Sequence, residues 1–445
     1  MSNNREQVIA MKNVEPKRRV LTAVVLLCCA QSLAAEDGPP PPAAEIKLPA
    51  VAGWNEFVDG LRGLPERMLA KLPESMRNDP QVQQEVGRLM LESLASSTLD
   101  AIGGDGDFPS FLPVIGQLMN IGQPNADTVY RSARITPGGS YRMRGQRGSL
   151  RMLVIAETGP SPGEPGFDPA HARAPRSTHD LNALELDAQG RFDVLLSPQR
   201  PDAYAGDWWP LSPTTDKLLL RMVSSDWSRE RDPTIAIERV DKPMDKPRRS
   251  AAELEQRLRR LPNAAAFMAL LFADHVEQLR KEGYVNKLKV FDTSQIGGLA
   301  NQFYYEGAYD LRDDEALIVE ATVPAHCLYR SIILTNEIYE TIDWYNNHSS
   351  LNDTQAAADA DGVLRVVVSA KDPGVPNWLD TAGYPRGVIQ GRWTECDSKP
   401  VPSVRKLAFS KLRKALPRDT ATVTAEQRER VIRERRIQLQ QWPLW

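Results

Sequence analysis

Two stretches of this chain spell the same turn and the same strand, and that echo limits the fold more than any other feature. Asp187-Ala188-Gln189-Gly190 leads into FDVLLS (residues 192–197), and Asp359-Ala360-Asp361-Gly362 leads into LRVVVS (residues 364–369), 172 residues later. In each, an Asp/Gly turn feeds a strand-like run, as at a hairpin. The flanks keep the same order: Tyr130-Arg131-Ser132-Ala133 matches Tyr305-Glu306-Gly307-Ala308 upstream, and Trp209 matches Trp378 downstream. The pattern predicts two copies of one β unit. Further short runs at 150–156, 217–223 and 234–239, bounded by turn signals, fill out the first copy. The expected class is α+β, mainly β: tandem β-sandwich (jelly-roll-like) units with an N-terminal helical region, a helical insert and a C-terminal helix. Two sandwiches side by side offer a cleft, a common place for ligands.

The second copy carries the most constrained loop. Between strand-like residues 364–369 and 388–393 lies DPGVPNWLDTAGYPRG, in which Pro373, Pro376 and Pro385 fix φ while Gly374, Gly383 and Gly387 permit turns. Its inventory, Asp372, Asn377, Trp378, Asp380, Tyr384 and Arg386 with Arg392 just beyond, suits a polar ligand. By the echo, residues 197–211 form its counterpart.

The remaining chain divides by pattern. Residues 1–34 read as a signal peptide, 35–50 as a proline-rich linker, 51–120 as helical, 121–248 as the first β unit, 249–290 as a helical connector, 291–405 as the second β unit and 406–445 as a tail. Trp54, Phe57, Val58 and Leu61, then Val82, Val86, Leu89 and Met90, fall at helical spacing, interrupted by Pro65, Pro73 and Pro80. The segment GGDGDF after them has the D-x-D of a calcium loop without its other ligands, and reads as a turn. Thr424-Ala425-Glu426-Gln427 is a capping box opening a helix with Arg428, Arg430, Arg433, Arg435 and Arg436. That run is expected to form a solvated face or a clamp across a subunit boundary.

Lys17, Arg18 and Arg19, the apolar residues 20–30 and Ser32-Leu33-Ala34 have the order of an export signal. The apolar run is short of the roughly 20 residues a membrane span needs. A periplasmic or secreted protein is predicted, with no stable membrane span after cleavage. Cys327 and Cys396 then remain, as one disulfide or as two buried thiols. A net charge of -3 gives no basic field for nucleic acid. No HExxH, GxSxG, P-loop or dinucleotide fingerprint is present, which disfavours the commonest zinc protease, hydrolase and nucleotide-dependent classes. The sequence leaves the cofactor unknown, and a metal at His348 with Asp353 or Asp359 would rest on generic spacing.

Three segments carry a family likeness: NADTVYRSARITPGGSYRMRGQRG (125–148), NNHSSLNDTQAAADADG (346–362) and DPGVPNWLDTAG (372–383), joined by the Arg392-Trp393 pair. In these the chain resembles an uncharacterised bacterial family, the domain of unknown function of 1214 type, sometimes found with a companion domain of 1254 type. The likeness covers most of the chain from Asn125 onward. It implies a β-sandwich-like fold and a homo-oligomer, and brings no reaction.

Asn125, Asp127, Tyr130, Asn377, Trp378, Asp380 and Arg392 are the candidate ligand-binding residues. His348 is the candidate catalytic residue, because a neutral imidazole in a polar run can exchange a proton near pH 7; its other reading is a loop organiser. Arg142 and Arg144 share a face if they lie in a strand, and with Arg147 and Arg151 they either grip an acid or keep an edge soluble. The expected function is an exported envelope protein that binds a polar or glycan-like small molecule through loops of its sandwiches. The alternative is a hydrolase or lyase with His348 as general base or acid, Tyr130 or Asp380 as partner, and arginines orienting an acidic group. The test between them is whether His348, Asp380 and Arg392 share a pocket.

Overall fold

Short runs rich in Val, Ile and Leu, punctuated by Gly and Pro, form strands when a second sheet covers one face. In the computed structural model they pair into four sheets. The structure describes residues 49–160, 167, 177–292, 299 and 301–442, so the expected signal and most of the linker lie outside the described residues. All elements below belong to one unit beginning at Ala50.

Helices α1 (Trp54–Arg62), α2 (Leu64–Leu69), α3 (Glu74–Arg77) and α4 (Pro80–Gly103) come first. Strands β1 (Leu112–Pro113), β2 (Thr128–Arg134), β3 (Tyr141–Gln146), β4 (Met152–Thr158), β5 (Thr178–Asp180), β6 (Arg191–Ser197), β7 (Asp207–Pro210), β8 (Lys217–Val223) and β9 (Thr234–Arg239) follow. After α5 (Ala251–Leu270) and α6 (His275–Lys281) come β10 (Lys289–Phe291), β11 (Gln302–Asp310), β12 (Glu315–Thr322), β13 (Cys327–Leu334), β14 (Ser350–Asn352), β15 (Val363–Ser369), β16 (Trp378–Asp380), β17 (Arg386–Cys396) and β18 (Ser403–Ala408). Helices α7 (Leu412–Ala415) and α8 (Ala425–Gln440) end the described chain. No helix among the described residues is long and apolar enough to cross a membrane.

The first sandwich lays a five-stranded sheet, β1-β2-β8-β4-β5, over a four-stranded one, β7-β6-β3-β9. Adding nine to every label gives the second, β10-β11-β17-β13-β14 over β16-β15-β12-β18. Even the single parallel pair of each recurs, as β6–β7 and β15–β16. Each sandwich has its own core. Met143, Leu153, Phe192, Leu196 and Leu220 meet inside the first, and Tyr309, Leu317, Val366, Ile389 and Trp393 inside the second. The turns that announced the echo also match: the amide of Asp187 bonds to Arg191, that of Asp359 to Val363, and Gly190 and Gly362 take φ of 73° and 78°.

Register corrects two of the sequence matches by one residue. Leu195 lies opposite Trp208, and its equivalent Val367 lies opposite Trp378, so Trp378 corresponds to Trp208 and not to Trp209. Both indoles donate to an equivalent serine, Trp208 to Ser197 Oγ at 2.9 Å and Trp378 to Ser369 Oγ at 3.1 Å. Each serine in turn donates to a carbonyl two residues on. Likewise Tyr130 faces Arg221 across β2–β8 and Tyr304 faces Arg392 across β11–β17, which makes Tyr304, not Tyr305, the counterpart of Tyr130.

Helices fill the remaining surfaces. Val82, Val86 and Leu89 of α4 pack on Leu64 and Met68 and on Ala265, Ala266 and Ala269 of α5, whose small side chains allow close approach. The GGDGDF turn is held by charge: Lys246 and Arg249 each reach Asp105 at 3.1 Å, and Lys242 and Arg239 reach Asp107. Against the cost of partial burial, Thr136, Lys242 and Arg239 pull the Asp107 carboxyl down to about 2.

Cys327 and Cys396 are directly opposite on β13 and β17 and are joined in a disulfide that closes a separation of 69 residues. Cross-linking a loop of that length stabilises by restricting the unfolded chain. Cys327→Ser with Cys396→Ser is expected to lose about 2–4 kcal/mol, read as a lower urea midpoint, with a steeper slope because the unfolded chain without the cross-link is more expanded. An unchanged midpoint means the bond restrains nothing.

Candidate functional site

The two five-stranded sheets meet through their outer faces, where Met152, Val154 and Val223 pack on Tyr329 and Leu299. Strand alternation decides what each sheet presents there. On β17, Ile389 and Trp393 enter the sandwich core, so Gln390, Arg392 and Thr394 take the other face. On β11, Tyr305 and Tyr309 point inward, which leaves Gln302, Tyr304 and Glu306 beside them. The first sandwich answers with Tyr130 and Arg221. One Tyr–Arg cross-strand pair therefore comes from each sandwich, and the two pairs act electrostatically on one another.

Arg392 lies between the two sheets and is 4% exposed, while Tyr130, Arg221, Gln302 and Tyr304 around it are half-buried. Its Nη2 donates to Gln390 Oε1 at 2.8 Å, and its guanidinium lies 5.3 Å from the Tyr304 ring centre. No carboxylate among the described residues forms an ion pair with it, and its buried Nε–H meets no acceptor there.. Burial lowers the tendency of Arg392 to hold its proton, but Tyr304, Tyr329, Tyr130 and Asp127 outweigh that and keep it charged.

Beside Arg392, Asp127 ties the sandwiches together. Its Oδ1 accepts from Trp227 Nε1 at 2.8 Å and Asn352 Nδ2 at 2.7 Å, and its Oδ2 from the Tyr329 hydroxyl at 2.5 Å. Burial pushes its carboxyl up to about 6, although these three donors and the field of Arg435 pull the other way. Asn125 Nδ2 donates to the same Tyr329 oxygen at 2.8 Å, and the Asn125 amide donates to the Tyr130 hydroxyl at 3.2 Å. On the other flank Gln390 donates to Glu306, which is fully buried and also takes His275 Nε2 and the Tyr339 hydroxyl.

Of the seven candidate ligand residues, the structure brings Asn125, Asp127, Tyr130 and Arg392 together and sets Asn377, Trp378 and Asp380 in a different role. Asn377 stitches two backbone carbonyls, Ala357 at 2.7 Å and Arg365 at 3.0 Å. Trp378 is buried beneath the Arg428 guanidinium, 5.0 Å from its ring centre. Asp380 caps the amide of Ala382 at 2.8 Å. The constrained loop thus docks α8: Arg428 pairs with Asp372 at 2.9 Å and donates to the Val375 carbonyl. Seven residues on, Arg435 is buried over Trp227 of the first sandwich. Of the arginine run, Arg428 and Arg435 clamp α8 within this chain, while Arg430, Arg433 and Arg436 are exposed and form the solvated face.

Tyr304, Arg221, Tyr329, Asn352 and Gln390 escaped the sequence reading. A signal existed: β17 alternates large apolar residues with Gln390, Arg392 and Thr394, although both its faces are covered. Polar residues at every second position of such a covered strand signal a buried polar face, whose groups need hydrogen-bond partners from the facing sheet.

A crystal structure of an uncharacterised protein from Burkholderia cenocepacia is similar to this chain, with a TM-score of 0.73 and 28% identity over 80% of this chain and 97% of that one. A Vibrio parahaemolyticus protein aligns at a TM-score of 0.42 and 10% identity, over 72% of this chain and 98% of its own. No protein-family model matches, and no curated protein matches. The first likeness describes the architecture, and neither names a chemistry.

His348 lies apart from the Tyr–Arg pairs. It is 4% exposed, its Nδ1 is 2.5 Å from the Trp378 carbonyl, and its ring is parallel to that indole. Nδ1–H donates there. Burial, with Arg435 and Arg428 nearby, lowers the imidazole to about 3, so it is neutral at pH 7 and has no proton to give as an acid. Asp353 and Asp359, its conceivable co-ligands for a metal, are bound to Arg151 and Arg365. The arginine comb is likewise engaged: Arg142 with Asp193, Arg144 with Glu238, and Arg147 with Asn182 and the Leu150 carbonyl.

The depressed His348 has a pH consequence. In the unfolded chain the imidazole protonates near 6.5, whereas the fold resists protonation down to about 3, so stability falls as pH falls below 6.5. That loss is about 2 kcal/mol by pH 5. Asparagine places a donor near Nδ1 and cannot charge. His348→Asn is therefore expected to keep most of its pH 7 stability and to lose less on acidification. Equal acid losses in the two proteins would show that His348 is not held neutral.

Proposed function

We propose that this chain is an exported ligand-binding protein whose site is the crevice between its two five-stranded sheets. The observation that carries the reading is Arg392: a buried guanidinium with an unsatisfied N–H, set where the two five-stranded sheets meet, beside the half-buried Tyr130 and Tyr304. Leaving such a donor unpaired is costly, and a bound polar group removes the cost. The ligand expected from the sequence, a polar or glycan-like small molecule, fits such walls, because tyrosines offer a flat face and a hydroxyl together. Its place is the inter-sheet crevice, not the 372–385 loop, whose polar groups are spent on backbone and on α8. An enzyme acting through His348 has less support, since that imidazole is neutral, buried and hydrogen-bonded away from Arg392.

The Cys327–Cys396 disulfide supports an oxidising compartment, in keeping with the export signal. Membership of the 1214-type family and a homo-oligomeric state belong to the same proposal. The exposed Trp54 and Val58 on α1 offer an apolar surface for such an assembly.

A thermal-shift screen of neutral sugars, acidic oligosaccharides, lipids and divalent metals tests the placement. A ligand present at 100 times its Kd stabilises by about 2.7 kcal/mol. That gain is expected to disappear in Tyr130→Leu and to persist in Asn377→Ala. The reverse pattern would return the site to the loop.

A further inference from the structure

Helix α4 meets the second sandwich where two glutamates share one arginine. Glu92 Oε1 lies 3.5 Å from Arg88 Nε, and Glu340 Oε2, on the turn at 336–341, accepts from Arg88 Nη2 at 2.7 Å. Nε and Nη2 form one edge of a guanidinium, which matches the two oxygens of a single carboxylate. Arg142 uses that edge in this way, with both bonds going to Asp193. At Arg88 the edge is split between carboxylates from two different elements. Both are enclosed, with 13% of the Glu92 side chain and 1% of the Glu340 side chain exposed, and Glu340 Oε1 is buried without a donor.

No second cation among the described residues touches either carboxyl. On α4, the buried Glu85 adds a negative field at Glu340. Glu337, on the same turn as Glu340, faces Arg386 and Arg280, and Tyr384 of the constrained loop interacts with Glu85 and Arg88. Residues 112–121 supply the Asn120 amide, which donates to Glu92 Oε2 at 2.7 Å. Helices α2, α3 and α5 bring Leu64, Met68, Met76 and Ala265 to this core. Two negative charges facing one positive charge favour a proton on one of them. Burial and then Glu340 push the Glu92 carboxyl up to about 7, against the pull of the Asn120 amide and Arg88.

We propose that Glu92 and Glu340 hold one proton between them, and that this proton latches α4 to the second sandwich. Without it the two carboxylates repel across one guanidinium edge, and the turn at 336–341 bears the load. Asn336 ties that turn to Glu340: its Nδ2 donates to Glu340 Oε2 at 2.6 Å, and its Oδ1 accepts from the amides of Ile338 and Glu340. Ile338 packs into the α4–α5 core, and Tyr339 takes a φ of 67°, uncommon for a residue with a side chain and dependent on neighbours that hold it. With α4 undocked, Glu92 titrates near 4.5; docked, near 7. The docked state therefore holds more protons between those values, so docking weakens as pH rises through them and levels off above. Between pH 6 and 8 the loss in the docking equilibrium is about tenfold.

The experiment is hydrogen exchange of the full chain at pH 6 and 8, read by mass spectrometry and corrected for the intrinsic rate at each pH. Amides of residues 80–103 and 336–341 are expected to lose about tenfold in protection in the wild type, and those of β3 and β6 no more than about twofold. Glu92→Gln keeps the shape without the charge, and is expected to hold at pH 8 the protection it has at pH 6. Asp127 titrates alike in both proteins and cancels in the comparison. Equal losses in the wild type and Glu92→Gln, or none in either, overturn the latch. A wild-type loss as large in β3 and β6 also overturns it, because the proton then serves the whole fold. Should Glu92→Gln not fold, Glu340→Gln leaves Arg88 to Glu92 alone and is expected to remove the same pH dependence; a tenfold loss that persists there overturns the proposal.

Discussion

Arg435→Met is expected to cost the protein about 3–5 kcal/mol, the range for removing one partner from a buried charged network. Arg435 is 4% exposed, and burial lowers its guanidinium to about 10 while Asp127 and Asp343 support its charge. Its Nη2 donates to Ser350 Oγ at 2.7 Å and the Trp344 carbonyl at 3.1 Å, and its Nη1 to the Ser350 carbonyl at 3.2 Å. Methionine keeps the apolar stem over Trp227 but leaves those buried acceptors unpaired. The control is Arg433→Met on the same helix: Arg433 is exposed and, among the described residues, pairs only with Glu429 one turn away, so its loss should stay within about 0.5 kcal/mol. Urea unfolding followed by tryptophan fluorescence reports both, since Trp227 lies under Arg435. Should the two variants unfold at the same midpoint, α8 does not clamp the sandwiches.

What the sequence shows of this architecture follows the range of each interaction. The turns Asp187–Gly190 and Asp359–Gly362 are local, because an Asp side chain and a left-handed Gly build them without help, and they were readable at once. Register is not local. A strand has period 2, so matching identical letters paired Trp209 and Tyr305 where the ladders place Trp208 and Tyr304. The capping box of α8 was legible for the same local reason, with Thr424 Oγ1 and Gln427 Oε1 each accepting the other's amide. Which arginines of α8 are buried was not. Arg428 and Arg435 are seven apart and share a face, but so do other pairs in that run; what selects them is Trp378 and Trp227, supplied by two different sandwiches. Asn125, Asp127 and Arg392 stood out as polar residues in a suggestive setting. Their partners Tyr329 and Asn352 are ordinary strand letters until the two sheets meet.

Asp127→Ala is expected to destabilise by roughly 4 kcal/mol at pH 7, because Trp227, Tyr329 and Asn352 lose their common acceptor at once and each buried donor left unpaired costs about 1–3 kcal/mol. Asp127→Asn has a different outcome. The amide oxygen still serves Trp227 and Asn352, the amide nitrogen can donate to the Tyr329 oxygen, and no charge is buried. The two variants therefore separate the hydrogen bonds from the charge. Asp127 titrates near 3.8 in the unfolded chain and is raised to about 6 in the fold, so between those values the folded state holds more protons. Stability from this group is then highest below pH 4, falls as pH rises to 6, and stays level above, the opposite sense to His348. A shift of two units corresponds to about 3 kcal/mol. Wild-type stability minus that of Asp127→Asn, taken at each pH, cancels the His348 contribution and should fall by about 2 kcal/mol of that amount between pH 4 and 6. A difference that is flat across this window would mean Asp127 is ionised throughout. The three donors and the field of Arg435 would then outweigh burial, and Asp127 would carry its negative charge at every pH at which the protein folds.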